Sequence, residues 1–171
     1  MLRNVIYSLV LILSVGVASN AQKFGIVDVT NILDNLDEYL VAQDKLDKLA
    51  AEWNQDISKE YDQIKSMYNK YQAEQVLLSE DLKVRREEEI VQKEKQVREL
   101  QRAKFGPEGE LFLRRQELVS PIQEKVFNEI EKYAKETSID IMLDKSSATG
   151  LLFTSEEFDK TETIKRRLGI R

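Results

Sequence analysis

QVLLSEDL, Gln75 to Leu82, is the stretch that decides the fold, because it is where a very long helical pattern must turn back. No Gly or Pro occurs between Thr30 and Gly106, a run far longer than an ordinary globular helix. Leu46, Ala50, Trp53, Ile57, Ile64, Met67 and Tyr71 mark one helical face, close to a coiled-coil seam. Tyr61 and Tyr68 widen that face, while Glu60 and Glu74 fall on strict seam positions and keep it from being an ideal zipper. One straight rod has no single small core to pack on, so the chain must reverse. Leu77 and Leu78 end the first pattern, Ser79 can cap a new helix, and Glu80 and Asp81 suit its first turn. The spacing therefore predicts a hairpin tip near residues 77–81.

The rival reversal is FGPEGE, Phe105 to Glu110, which has stronger turn letters. A turn there leaves arms of about 75 and 29 residues, whereas a tip near Ser79 gives about 48 and 58, roughly 70 and 85 Å long. Balanced arms pair along their whole length, so FGPEGE reads as a break inside the returning arm. Pro121 is a second interruption, since an interior proline removes a backbone hydrogen bond. Gly106, Gly109 and Pro121 are expected to let that arm bend. Its seam resumes with Leu111, Leu118, Ile122, Val126, Ile130 and Tyr133.

Outside the arm, residues 1–21 read as a cleaved signal peptide. Arg3 gives the positive start, Val5 to Ala18 is mostly apolar, and Ser19-Asn20-Ala21 sets small residues before a cut at Gln22. The apolar run is shorter than a bilayer span needs. KFGIVDV, Lys23 to Val29, reads as a buried strand, with Thr30 as cap of the first arm. IDIMLDK after Ser138 and GLLFTS, Gly150 to Ser155, read as two more strands. Phe158, Ile164 and Leu168 mark a closing helix. The fold class is α+β: a helical hairpin, residues 30–138, inserted into a small head made of residues 22–29 and 139–171. Three short strands bury little surface alone. The head is expected to oligomerise through Phe24, Ile26, Ile141, Leu143, Leu151 and Phe153.

Composition narrows the chemistry. One third of the 171 residues are charged, and neither His nor Cys occurs, a long-helix composition that excludes thiolate and imidazole sites within one chain. The net charge of −5 argues against nucleic acid as partner. The charge is uneven. Residues 30–78 carry ten acidic and five basic residues, and Lys83 to Lys104 eight basic against five acidic. Asp144-Lys145-Ser146-Ser147 sets a Lys beside serines, as a Ser–Lys hydrolase needs, yet it lacks an oxyanion loop and reads as a solvated turn. Glu87-Glu88-Glu89 points in three directions around a helix and reads as an ion-paired face rather than a metal site. No phosphate-binding glycine loop is present, so no catalytic residue, metal or cofactor is expected.

The order of these pieces resembles the OmpH/Skp family of periplasmic chaperones. The matching words are the signal segment, KFGIVDV, KVRREEEIVQKEKQVRELQR, LVSPIQEKVFNEIEKYAKE, IDIMLDKSS and GLLF, with FGPEGELF similar to one version of the family. The resemblance implies a homotrimer in the periplasm, with a shared β-core and three arms around a cavity for unfolded outer-membrane proteins. Well-known members are basic and this chain is acidic, so contact with anionic lipid rests on the local basic run. Tyr61, Met67, Tyr68 and Tyr71 offer a tolerant apolar surface, against the alternative that they pack the hairpin. Arg85, Arg86, Arg98 and Arg102 are the candidate cations, against the alternative of pairing with neighbouring Glu. The expected function is an ATP-independent holdase; the alternative is a structural coiled-coil spacer or tether of the envelope.

Overall fold

The computed structural model describes residues 22–147 and 151–170. The expected signal segment and Gly150 lie outside them. The element order is β1 (Phe24–Val27), α1 (Val29–Asp34), α2 (Asp37–Glu74), α3 (Glu80–Phe105), α4 (Glu110–Thr137), β2 (Ile141–Asp144) and α5 (Thr161–Arg167). The α2 and α3 helices form an antiparallel hairpin that turns between Glu74 and Glu80. Ser79 is the extended N-cap residue of α3, although its side chain makes no capping bond. Among the described residues no helix is long and apolar enough to cross a membrane.

β1 and β2 pair in parallel, Phe24 opposite Ile141 and Ile26 opposite Leu143. Parallel strands need a long crossover, and the hairpin is that crossover. Gly25 lies opposite Met142, and a Cβ there would stand 2.7 Å from the Met142 sulfur. Glycine thus lets Met142 pack across the strand into the root of the arm. The main core sits at that root, where Val27, Ile32, Leu33 and Leu36 meet Leu46 of α2, Val119, Ile122, Val126 and Ile130 of α4, and Ile164 of α5. A second, smaller cluster joins Ile57 and Ile64 of α2 to Val97 of α3, with Leu100 and Phe105 against it.

Three local expectations are corrected. Asp28, not Thr30, caps the first helix: its carboxylate accepts the Asn31 N–H at 2.9 Å. The first arm breaks at Asn35 and Leu36, because Ile32, Leu33 and Leu36 must all turn into the root core. No strand forms over Leu151 to Ser155. The free edge of β1 is taken instead by the segment after it, where Ile26 N–H donates to Phe158 O at 2.9 Å and Lys160 N–H to Ile26 O at 2.7 Å. Ile26 is consequently buried within its own chain, and Leu151 is half-buried, whereas Leu152 and Phe153 are 97% and 84% exposed.

The interruption in the returning arm is built rather than loose. Glu108 holds a positive φ of 61°, and a Cβ on Gly106 would overlap the Arg102 carbonyl. Alanine at Gly106 therefore disrupts the joint instead of straightening it. Pro121 is carried inside α4 without ending it.

Polar bonds weld the head. Asp144 accepts Val29 N–H at 3.1 Å and the hydroxyls of Ser146 and Ser147. Asp159 accepts Lys145 Nζ and Thr161 N–H, each at 2.8 Å, and Thr161 Oγ1 accepts Asp28 N–H. Burial pushes both carboxyls up, but these donors outweigh it and hold both below the usual carboxylate range. Depressed carboxylates stabilise the fold above the unfolded value of about 3.9 and lose that contribution as pH falls through the folded values. Thermal melting should therefore be flat from neutral pH to about pH 5 and fall below about pH 4. The Asp144→Asn, Asp159→Asn pair should show a smaller acid-induced drop; an unchanged drop places the acid sensitivity elsewhere.

Candidate functional site

A helical hairpin exposes whatever its seam does not cover, so the candidate surface is what lies beside the seam and on the bare side of the head. The sequence-selected tyrosines lie beside it. Tyr68 OH donates to Glu94 at 2.9 Å, Tyr61 OH to Gln101 at 3.3 Å, and Tyr71 OH to Glu87. Each phenol thus ties α2 to α3 while its ring stays partly in solvent; Tyr61 and Tyr68 are 46% and 41% exposed. The carboxylate acceptors raise the Tyr68 and Tyr71 phenol pKa values, first through the hydrogen bonds to Glu94 and Glu87. Met67 is half-buried on the other side of the pair, with Arg86 and Glu89 lining the same groove.

The four arginines divide. Arg86 pairs with Glu89 at 2.9 Å and Arg98 with Glu94 at 3.4 Å. Arg85 and Arg102 are exposed and make no ion pair among the described residues. Lys93 and Lys104 are taken by Glu60 and Glu110. Lys104 also stands over the Trp53 ring at 4.5 Å, beside the edge contact of Trp53 with Phe105. Lys83 pairs with Glu80 and Lys95 with Glu99, so six of the eight cations of the basic run are paired within the arm.

The head has its own bare surface. Val27 and Met142 face the root core, so the alternate strand positions face outward. Phe24, Ile141 and Leu143 are each about 40% exposed on that outer face, and Phe158 is equally exposed at the β1 edge. Sequence reading selected the first three for this surface and missed Phe158. It also missed the tip, where Val76 and Leu77 are 87% and 88% exposed. It missed Val84, Val91, Leu113 and Phe127, all exposed. Their signal was apolar residues recurring off the seam.

No catalytic arrangement forms at the serine turn. Ser146 and Ser147 donate to Asp144, while Lys145 turns away to Asp159. The Asp159 hydrogen bond raises the Lys145 pKa, which holds it protonated and unfit as a base. Glu87 and Glu89 are engaged by Tyr71 and Arg86, and no group of metal-binding carboxylates occurs among the described residues.

The two kinds of arm residue predict different costs. Ile64→Ala empties a buried seam position and should cost about 2–5 kcal/mol. Tyr68→Phe removes one exposed bond and should cost about 1 kcal/mol or less. Urea unfolding read by circular dichroism checks both; equal losses would make Tyr68 a structural strut.

Residues 23–168 match the family described as outer membrane protein (OmpH-like). Six solved chains match. One is the crystal structure of a Caulobacter crescentus CB15 protein assigned as an outer membrane chaperone (OmpH-like). It is 10% identical, with a TM-score of 0.68 over 88% of this chain and 86% of that one. At that identity the likeness is one of fold. No curated protein matches.

Proposed function

This chain belongs to the OmpH-like outer membrane protein family, and on that premise we propose that it is a periplasmic holdase chaperone for unfolded outer-membrane proteins. The observation that carries the reading is the amount of apolar surface left bare on a highly charged, elongated chain. Soluble monomers rarely leave such surface without use. The bare surface falls into two regions with two uses. The outer sheet face, Phe24, Ile141 and Leu143, with Phe158 exposed at the β1 edge, suits contact with other copies, since a two-stranded sheet is marginal alone. Leu152 and Phe153, on the segment between β2 and Phe158, are exposed and add apolar area for the same contact. Three copies sharing such a core would project three arms, each carried by an α2 of 38 residues, about 57 Å long. The space between them is the proposed client cavity.

The arms hold clients by many weak contacts, with no nucleotide cycle. Apolar groups supply most of the affinity, because exposed charges are screened over about 8 Å at physiological salt. Arg85, Arg86, Arg98 and Arg102 mainly speed the encounter with acidic client segments. Lipid contact is confined to the same basic run. A plain spacer or tether would not need apolar groups along exposed arm surfaces, so the holdase reading is preferred.

The test is light scattering of a denatured transmembrane β-barrel protein diluted from urea with the mature chain and no nucleotide. Aggregation should be suppressed near stoichiometric ratios. Replacing the four arginines by Gln should lower the association rate several-fold at low salt and leave the dissociation rate unchanged. Unaltered aggregation overturns the holdase reading. A salt-independent rise in dissociation rate makes the arginines a docking site instead.

A further inference from the structure

An antiparallel helix pair has two flanks, and the cross-arm bonds identify which residues share each. Residues four positions after a seam residue lie about 40° round the helix, and residues one position after lie about 100° round in the same sense. In an antiparallel pair these positions of both helices fall on one flank. Tyr61, Tyr68, Glu94 and Gln101 follow Ile57, Ile64, Ile90 and Val97 by four, and they bond to one another across the arm. Glu60 and Lys93 follow Ile57 and Ile90 by three, about 60° the other way, and they pair on the opposite flank. The α5 helix docks on that opposite flank as well. Arg167 binds Glu129 and Glu136, three positions after Val126 and Tyr133, and stands over the Tyr133 ring.

The flank without α5 holds most of the bare apolar groups. Val91 and Phe127 directly follow the buried Ile90 and Val126. Val84 is seven residues before Val91, and Leu113 is seven before Ser120, which follows the buried Val119. On α2 the column four positions after the seam contributes Leu40, Tyr61 and Tyr68 to the same flank. All seven are between 41% and 54% exposed. Phe112 adjoins the flank. Of the other large apolar side chains exposed on α2, α3 and α4 among the described residues, Val41 and Leu82 lie off it. Arg98 continues the Val84–Val91 column, and Arg102, one turn on, makes no ion pair among the described residues.

We propose that this flank is the client-binding face of the arm, and that its occupant is an extended segment of an unfolded chain with alternating apolar side chains and some acidic ones. The proposal rests on the holdase reading above. The pattern selects the occupant. A second helix of this protein would need two apolar positions per heptad to pack, and these columns supply one. Between the exposed apolar members stand the polar Asp47, Asn54, Arg98 and Ser120, while Phe105 and Ala134 end two of the columns. A helix seated there would bury those groups unpaired. An extended chain covers the roughly 10 Å between Val84 and Val91 within four residues, so side chains on one side of it reach both, and it keeps its own polar groups in water. Arg98 and Arg102 complement acidic residues in it.

Photo-crosslinking separates the outcomes. A benzophenone amino acid is placed at Val91 or Phe127 on the proposed face, and at Gln63 or Lys125 on the other, all outside the buried seam. The probe client is a denatured transmembrane β-barrel protein diluted from urea, with light scattering recorded in parallel. Client crosslinks should be at least fivefold stronger from Val91 and Phe127. The Val91→Ser, Phe127→Ser pair should weaken client affinity about tenfold with helix content and oligomer mass unchanged. Suppressed aggregation with equal crosslinking from both flanks, or stronger crosslinking from Gln63 and Lys125, overturns the face and leaves the holdase reading standing. Crosslinks between copies that persist when client is added make the occupant a second arm, which also overturns it. No crosslinks and no suppression remove the holdase reading and the face with it.

Discussion

The parallel pairing of β1 with β2 is the constraint on which the rest depends. Two parallel strands cannot be joined by a tight turn, and here everything between them is the arm. Pairing Phe24–Val27 with Ile141–Asp144 pins both roots of the hairpin side by side. Asp144 then reaches the first N–H of α1, and Asp28 caps the same helix. The arm is thus fixed to the head by backbone and charge together, and the root core fills behind them. The same pairing leaves the sheet one face on that core and one face bare.

Stability is graded along the arm. The root cluster gathers residues from β1 and all the helices except α3, whereas the distal arm rests on Ile57, Ile64 and Val97 with half-buried neighbours. Between them Trp53 and Phe105 meet at 6.1 Å beside the Gly106–Gly109 joint. Beyond that joint the small buried cluster holds the arm, and the exposed polar bonds beside it are each worth little net. Local opening therefore begins distally. A gradient of this kind suits a surface that must fit chains of many shapes.

Much of this was legible in the sequence. The steps from Leu46 to Tyr71 announced the seam, Ser79 and the acids after it marked the turn, and FGPEGE declared the interruption. What stayed hidden depends on distant partners. GLLFTS has strand composition whether its partner lies in the same chain, in another, or nowhere, so β-propensity could not reveal that residues 158–160 take the β1 edge. The break at Asn35 carries no Gly or Pro and is forced by Ile32, Leu33 and Leu36 sharing one core. Ile26 alternates like an interface residue, yet its own chain covers it. Of the candidate functional residues, the tyrosines were found through their place beside the seam. Val91 and Phe127 were not, because an apolar residue next to a seam position looks like seam until the phase of the helix is known.

In the proposed trimer the bare outer face of the sheet is covered by other copies. Sedimentation equilibrium of residues 22–171 at micromolar concentration tests this most directly. The account predicts a mass of three chains, falling to one folded chain when Ile141 and Leu143 are both replaced by Asp. A wild-type chain that sediments as a monomer with its helix content intact would contradict it.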